Sequence, residues 1–232
     1  MKNTLTLCIP TLNRYDLLTG CIVSALKGSE YPKKVSLIDN GNALPDRIYK
    51  ALKEWCCDTY DSEMTVYTPA NNIGVAKSWN WFMSIESFPM LICNDDIEFG
   101  FDDIKMFEHI YYSSESSFFF TDNVDQLNMF SCFMPTYELI RKVGYFDDTF
   151  YPAYYEDNDY AYRMSRKHIE LQAIKTNIKH FGSATIRQYT PEQIKLHHEQ
   201  FKNNRQYYSS KWGGEPGEEI YINPFNKVVS DD

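Results

Sequence analysis

The sequence predicts an α/β fold, a mostly parallel sheet flanked by helices, on three observations. Short apolar runs alternate with stretches whose apolar residues recur at helical spacing, the pattern of strand–helix–strand units. The 232-residue chain shows no internal repeat and no low-complexity linker, so it reads as one domain with a sufficient core. Three apolar runs each hand over to Asp, Asn or Thr at their C-terminal ends, and in open sheets ligands sit beyond those ends.

Taken in order, LTLCIP (5–10) is a buried strand stopped by Pro10. A helix follows from about Tyr15 to Lys27, with Leu17, Leu18, Ile22 and Leu26 on one face. KVSLIDN (34–40) is the next strand, then a helix over 46–57 and the short strand MTVYTP (64–69). NNIGVAKSWNWFMS (71–84) reads as a loop entering a helix, and PMLICNDD (89–96) as an apolar strand ending in carboxylates. In the second half, SSFFFTDNV (116–124) and NMFSCFMP (128–135) read as strands, and TYELIRKVG (136–144) as a helix closed by Gly144. Residues 145–164 read as a loop dense in aromatics and acids, and 171–185 as strand-like. Thr190 and Pro191 form a helix start, after which a polar helix runs toward the Gly/Pro-rich turn at 212–219. The expected division is a domain over 1–188 and a C-terminal helical extension and tail over 189–232.

Composition narrows the partners. Hydrophobic residues make up 43% and charged residues 24%, which is globular rather than disordered. The net charge of −9 disfavours a nucleic-acid partner, because counterion release rewards basic surfaces. It is compatible with an acidic site for a divalent cation. Cys8, Cys93 and Cys132 sit in apolar runs, and Cys56-Cys57 lacks metal or redox spacing, so a reducing, cytoplasmic setting is expected. No stretch approaches the roughly 18 apolar residues of a membrane span.

Four pieces of sequence have chemistry in them. Asn94-Asp95-Asp96 sets two adjacent carboxylates after a buried strand, where a divalent cation would relieve their repulsion. A helix N-cap with a first-turn acid would use the same residues. Glu156-Asp157-Asn158-Asp159 lies in a loop leading to a helix with Arg163. Its carboxylates are candidate general bases, or else N-caps with Asp159 or Glu156 paired to Arg163. His180 is a candidate metal ligand or an ordinary polar residue at a strand end. Gly74, with Asn72, Lys77 and Asn80, opens a helix whose amides suit a phosphate or ribose. His197-His198 is expected to face solvent.

Read in order, these pieces resemble the family-2 glycosyltransferases of the GT-A fold, a Rossmann-like sheet flanked by helices, over roughly residues 3 to 185. The resemblance rests on Pro10-Thr11-Leu12-Asn13-Arg14, Asp39-Asn40-Gly41, Asn72-Ile73-Gly74-Val75-Ala76 with Asn80, and Asn94-Asp95-Asp96. It continues through Gly144-Tyr145-Phe146-Asp147-Asp148-Thr149-Phe150, Glu156-Asp157-Asn158-Asp159 with Arg163, and His180-Phe181-Gly182-Ser183. The last segment is similar to rhamnosyltransferase-type members, as is the tail Lys211-Trp212-Gly213-Gly214. Position 94 departs from the pattern, with Asn where many members carry a carboxylate.

The resemblance implies an inverting transfer of a sugar from a nucleotide-diphosphate donor to a hydroxyl acceptor, a glycan or similar molecule. It places the nucleotide against Thr11, Asn13, Arg14, Asp39 and Asn72, and Asp95 on the ribose or sugar. Asp96 and His180 would hold Mn²⁺ or Mg²⁺. Asp157 would be the general base, with Glu156 as the second candidate. Three rivals stand beside it. A nucleotidyltransferase is disfavoured by the absence of glycine from Pro10–Arg14. A non-catalytic nucleotide-sugar or carbohydrate-binding module is disfavoured by the presence of both Asp96 and Asp157. A modified nucleobase in DNA as acceptor is disfavoured by the acidic balance.

Overall fold

The computed structural model describes residues 5–122, 128–182 and 189–227. The first half of the chain runs β1 (Thr6–Thr11), α1 (Tyr15–Leu26), β2 (Lys34–Asp39), α2 (Asp46–Glu54), β3 (Glu63–Tyr67), α3 (Val75–Ile85), β4 (Met90–Cys93), β5 (Ile97–Glu98) and α4 (Asp103–Ser113). The second half runs β6 (Phe118–Thr121), β7 (Cys132–Pro135), α5 (Tyr137–Val143), α6 (Glu156–Arg166), β8 (Leu171–Ile174), β9 (Lys179–His180) and α7 (Pro191–Trp212). Seven strands form one sheet in the order β3–β2–β1–β4–β7–β6–β8, in which only β7 runs against its neighbours. β5 and β9 form a separate antiparallel pair.

The central strands are apolar on both sides because helices cover both faces. Along β1, Leu5, Leu7 and Ile9 face one core with Leu18 and Ile22 of α1 and Phe107 of α4. Cys8, between them, faces a second core with Trp79 and Phe82 of α3 and Tyr160 of α6. The chain builds outward from β1 to β2 and β3, then returns across β1 to place β4 on its other side. The switch point therefore lies between the C-terminal ends of β1 and β4, where a ligand crevice is expected.

The elements expected from periodicity form, with two differences. First, residues 145–164 are not all loop, because α6 begins at Glu156. The start was hidden: its N-cap position is Tyr155, in the left-handed conformation (φ 73°), with no capping side chain. The three first-turn acids Glu156, Asp157 and Asp159 suit the positive end of the helix dipole. Second, α4 and β5 were not anticipated. The expected division after residue 188 falls at 183–188, outside the described residues, as does the far end of the strand expected over 116–124. No helix of the described residues is long and apolar enough to cross a membrane.

α7 begins with a capping box, in which Thr190 and Gln193 satisfy each other's backbone N–H groups. Its last turn is fixed to α6 by a buried ionic cluster. Asp159 is fully buried and accepts from Arg163 Nε (2.9 Å), Trp212 Nε1 (2.9 Å) and Lys211 Nζ (2.5 Å). Lys211 also donates to Asp147 (2.7 Å). Burial would raise the Asp147 carboxyl, but hydrogen bonds from Lys211 and Thr149 outweigh it and hold it at about 2. Phe150, Tyr155, Tyr208 and Trp212 pack around this cluster as a third apolar core.

Removing Lys211 leaves two carboxylates short of a cation. Lys211→Met is expected to cost about 3–5 kcal/mol at neutral pH, measured by urea unfolding. Asp147 is depressed relative to the unfolded chain, so its share of stability is present above about pH 4 and lost as pH falls toward about 2. The deficit of the variant should therefore shrink across that window.

Candidate active site

At the switch point, a cleft of about 390 Å³ opens between the ends of β1, β2 and β4 on one side and the start of α6 on the other. Thr11, Asn72, Asp95, Asp96, His180, Glu156 and Asp157 all line it. Residues from five separate stretches of sequence thus meet in one cavity, although Ser183, the end of the His180 segment, lies outside the described residues.

The Asp96–His180 pair is built by strand pairing. β5 and β9 align Ile97 with His180, and Phe181 N–H donates to Asp96 C=O (3.0 Å). This register brings His180 Nε2 to 3.0 Å from Asp96 Oδ1. That spacing is close to the edge, about 3.0 Å, of an octahedron whose ligands lie about 2.1 Å from a central Mg²⁺-sized ion. The two donors therefore fit adjacent positions around one divalent ion. Among the described residues no group of three His, Cys, Asp or Glu forms a fuller ligand set. The remaining positions would fall to phosphate oxygens and water. No helix follows Asp96, so the capping alternative does not apply to it.

Asp95 points back across the switch point and accepts from Thr11 Oγ1 (2.7 Å), tying the end of β1 to the end of β4. Burial, opposed by that hydrogen bond but helped by the neighbouring Asp96 charge, pushes the Asp95 carboxyl up to about 7. On the α3 side, Asn40 donates to Ser78 Oγ (3.0 Å) and accepts from Ile73 N–H (3.0 Å). Asn72 accepts from Gly74 N–H (2.8 Å). Gly74 sits at φ 80°, and a Cβ there would lie 2.9 Å from the Pro152 carbonyl oxygen. The same carbonyl accepts from Val75 N–H (2.8 Å), which docks the start of α3 against the 145–155 segment.

Three residues expected against the nucleotide do not line the cleft. Asp39 is buried, and its two oxygens are taken up by Tyr15 Oη (2.8 Å) and the N–H groups of Gly41 (3.2 Å), Ala43 (3.0 Å) and Leu44 (3.0 Å). It shapes the loop after β2. Gly41 is required there because a Cβ would lie 1.8 Å from the Leu12 carbonyl oxygen. Asn13 is exposed. Arg14 forms a two-bond pair with Asp16 (2.9 and 2.7 Å).

The two candidate bases differ sharply. Glu156 is 5% exposed, and its Oε2 has no hydrogen-bond partner. Burial, reinforced by the adjacent Asp157 charge, raises its carboxyl well above the usual range. Its surroundings therefore disfavour the charged form. Asp157 is partly exposed, accepts from Asn158 N–H (2.8 Å) and from the Asn128 amide, and lines the cleft as a solvated carboxylate. The Asp159–Arg163 pairing offered as an alternative for this segment also forms, one turn below.

The sequence reading missed part of the site. His197, expected in solvent, lines the cleft with Tyr154 and Tyr189, its ring 5.2 Å and 5.8 Å from theirs. Burial, then the neighbouring His198, lowers its pKa, which favours the uncharged ring. Asn128 and Trp79 were also missed. A period-3.6 reading of 191–212 gave no clear apolar face, so nothing marked His197 as inward.

With the geometry in hand, comparison with known proteins identifies the class. The Glycosyl transferase family 2 profile matches residues 6–105, from β1 into α4. Curated proteins give no match. Among solved structures, a mannosyltransferase from Pyrobaculum calidifontis, in complex with GDP-Man and Mn²⁺, superposes with TM-score 0.58 at 14% identity, over 75% of this chain and 55% of its own. TarS 1-349 of S. aureus with UDP-GlcNAc gives 0.58 at 13% identity, over 89% and 70%. GalNAc-T7 with UDP, GalNAc and Mn²⁺ gives 0.61 at 10% identity, over 90% and 50%. The chain spans about half the length of the first and last of these. The fold is the GT-A fold of these structures, and the family 2 profile is matched by its first half.

The Thr11–Asp95 bond makes a testable statement about this cleft. Thr11→Val keeps the shape of β1 but leaves Asp95 without its side-chain donor. It is expected to cost about 1–3 kcal/mol by thermal or urea unfolding, whereas Asn13→Ala, on an exposed loop, should fall within about 0.5 kcal/mol of the parent.

Proposed function

We propose that the protein is an inverting, divalent-metal-dependent glycosyltransferase. It moves a hexosyl or rhamnosyl unit from a nucleotide-diphosphate donor to a hydroxyl of a glycan or similar acceptor. The observation that carries this reading is the 3.0 Å approach of His180 Nε2 to Asp96 Oδ1 at the switch point, across the cleft from Asp157. The family 2 segment and the nucleotide-sugar complexes of similarly folded proteins support the same class.

The charge of the cleft supports metal dependence. Four carboxyl groups line it, from Asp95, Asp96, Glu156 and Asp157, and no Lys or Arg among the described residues does so. A diphosphate cannot enter such a cavity without a cation. Asp96 and His180 would hold it, and its chemistry when bound is Lewis-acid stabilisation of the departing diphosphate.

The chain's own groups do the rest. Asn72, Asn40 and Thr11 offer polar contacts to the nucleotide, at the ends of the elements that frame the crevice. Asp157 is held by Asn128 and the Asn158 N–H, and takes the proton of the acceptor hydroxyl as the new bond forms on the opposite face of the sugar. A single carboxylate base facing the donor from across the cleft is the arrangement that inversion requires. Burial disfavours the charged form of Glu156, the form a base would need, which favours Asp157 for that role. The same absence of basic lining argues for a neutral acceptor and against DNA.

A thermal-shift panel of UDP-, GDP- and dTDP-sugars with Mn²⁺ tests the reading. At least one donor should stabilise the protein only when metal is present. Asp96→Ala should abolish that shift. Asp157→Asn should keep donor affinity within about threefold while lowering transfer about 10²–10⁴-fold, the usual weight of a general base. Transfer by Asp157→Asn at the parent rate would remove the base assignment.

A further inference from the structure

Two buried polar side-chain atoms lack a hydrogen-bond partner: the indole Nε1 of Trp79 and Oε2 of Glu156. Both residues line the cleft, Trp79 at 3% exposure and Glu156 at 5%. Unpaired buried polar groups destabilise a fold, so each such atom in a native protein calls for a reason.

Packing does not supply one. The Trp79 ring lies 5.3 Å from that of Phe133 and 4.9 Å from that of Phe146, in an apolar cluster where phenylalanine would pack as well. Nothing in that cluster uses the indole N–H. Glu156 is likewise enclosed without a cation, while Asp159, three residues on, has three donors. The protein thus satisfies the structural carboxylate completely and leaves the cleft-lining one open.

One atom is a donor and the other an oxygen able to accept. A hydroxyl offers both an acceptor and a donor without charge. A phosphate does not fit, since it brings negative charge beside Asp157 and no donor. The nucleotide side of the cleft, with Thr11, Asn40 and Asn72, lies at the strand ends, whereas Glu156 flanks the proposed base. The acceptor side is formed by the more open ring of Tyr154 with Tyr189 and His197.

We infer that Trp79 and Glu156 form the subsite that reads ring hydroxyls of the transferred sugar, and so set which sugar is used. This inference rests on the transferase reading above. It assigns the two residues to recognition of the donor's sugar and not to proton transfer.

The test uses Trp79→Phe, which keeps a ring, and Glu156→Leu, which keeps bulk. Calorimetry with Mn²⁺ compares a nucleoside diphosphate with its sugar conjugate, GDP against GDP-mannose and UDP against UDP-GlcNAc, using whichever pair the parent protein binds. Melting without ligand is measured in parallel. The expected result has three parts. Each variant melts at or above the parent temperature, because an unpaired group has been removed. Each binds the nucleoside diphosphate within twofold of the parent. Each binds the sugar conjugate at least tenfold more weakly. Conjugate affinity within twofold of the parent overturns the inference, as does a parallel loss of nucleoside diphosphate affinity, which would assign the atoms to the nucleotide. Lower melting of both variants overturns it too, because the atoms would then have structural partners. If the parent binds neither nucleotide with Mn²⁺, the transferase reading itself falls.

Discussion

The constraint that organises this molecule is the crowding of like charge in one cavity. Four carboxyl groups line the cleft, and no Lys or Arg of the described residues faces them there. Each is accommodated differently. Asp95 shares a hydrogen bond with Thr11 and sits near neutrality in its titration. Burial raises the Glu156 carboxyl and disfavours its charge. Asp96 meets a histidine, and Asp157 keeps contact with water and with amide donors. The basic groups lie elsewhere: Lys211 and Arg163 are committed to Asp147 and Asp159, below the cleft. The fold thus commits Lys211 and Arg163 to structure, below the cleft.

That division explains why the last helix matters to a site it touches only at its edge. α6 has no capping side chain and starts from two successive tyrosines in the left-handed conformation, Tyr154 (φ 77°) and Tyr155 (φ 73°). Such backbone persists only where the surroundings over-determine it. α7 provides this. Asn204 donates to the carbonyls of Ala153 (2.9 Å) and Tyr154 (3.1 Å), and Lys211 and Trp212 hold Asp159 from below. The turn that presents Glu156 and Asp157 is therefore held on both sides by one rigid helix.

Much of this was legible in the sequence, for physical reasons that can be named. Apolar runs ending in Asp, Asn or Thr mark strand ends, and strand ends in parallel sheets converge by topology alone. Thr11, Asn72, Asp95 and Asp96 accordingly line one crevice. His180 was read as a candidate ligand or an ordinary polar residue, and only the β5–β9 register brings it to Asp96, since two-residue strands leave no periodic signal. Asp39 looked like a ligand because its position beyond β2 is right, yet three backbone N–H groups and Tyr15 already occupy it. Sequence does not reveal whether a carboxylate turns toward a cavity or back onto its own loop. The start of α6 was unreadable for the opposite reason: tertiary contacts, not a local cap, set it.

The same logic separates Glu156 from Asp157, two adjacent carboxylates that sequence treats as interchangeable. One helical position apart, they differ by about 100° around the axis, enough to bury one beside Trp79's cluster and leave the other facing water. A buried carboxyl without a cation cannot serve as a base at neutral pH, because the charged form it would need is the one its surroundings disfavour. It can still make a hydrogen bond, and in a cavity its unpaired oxygen is stabilised only by what enters. On the proposed reading, the same holds for the Trp79 indole, and a bound sugar would satisfy both groups.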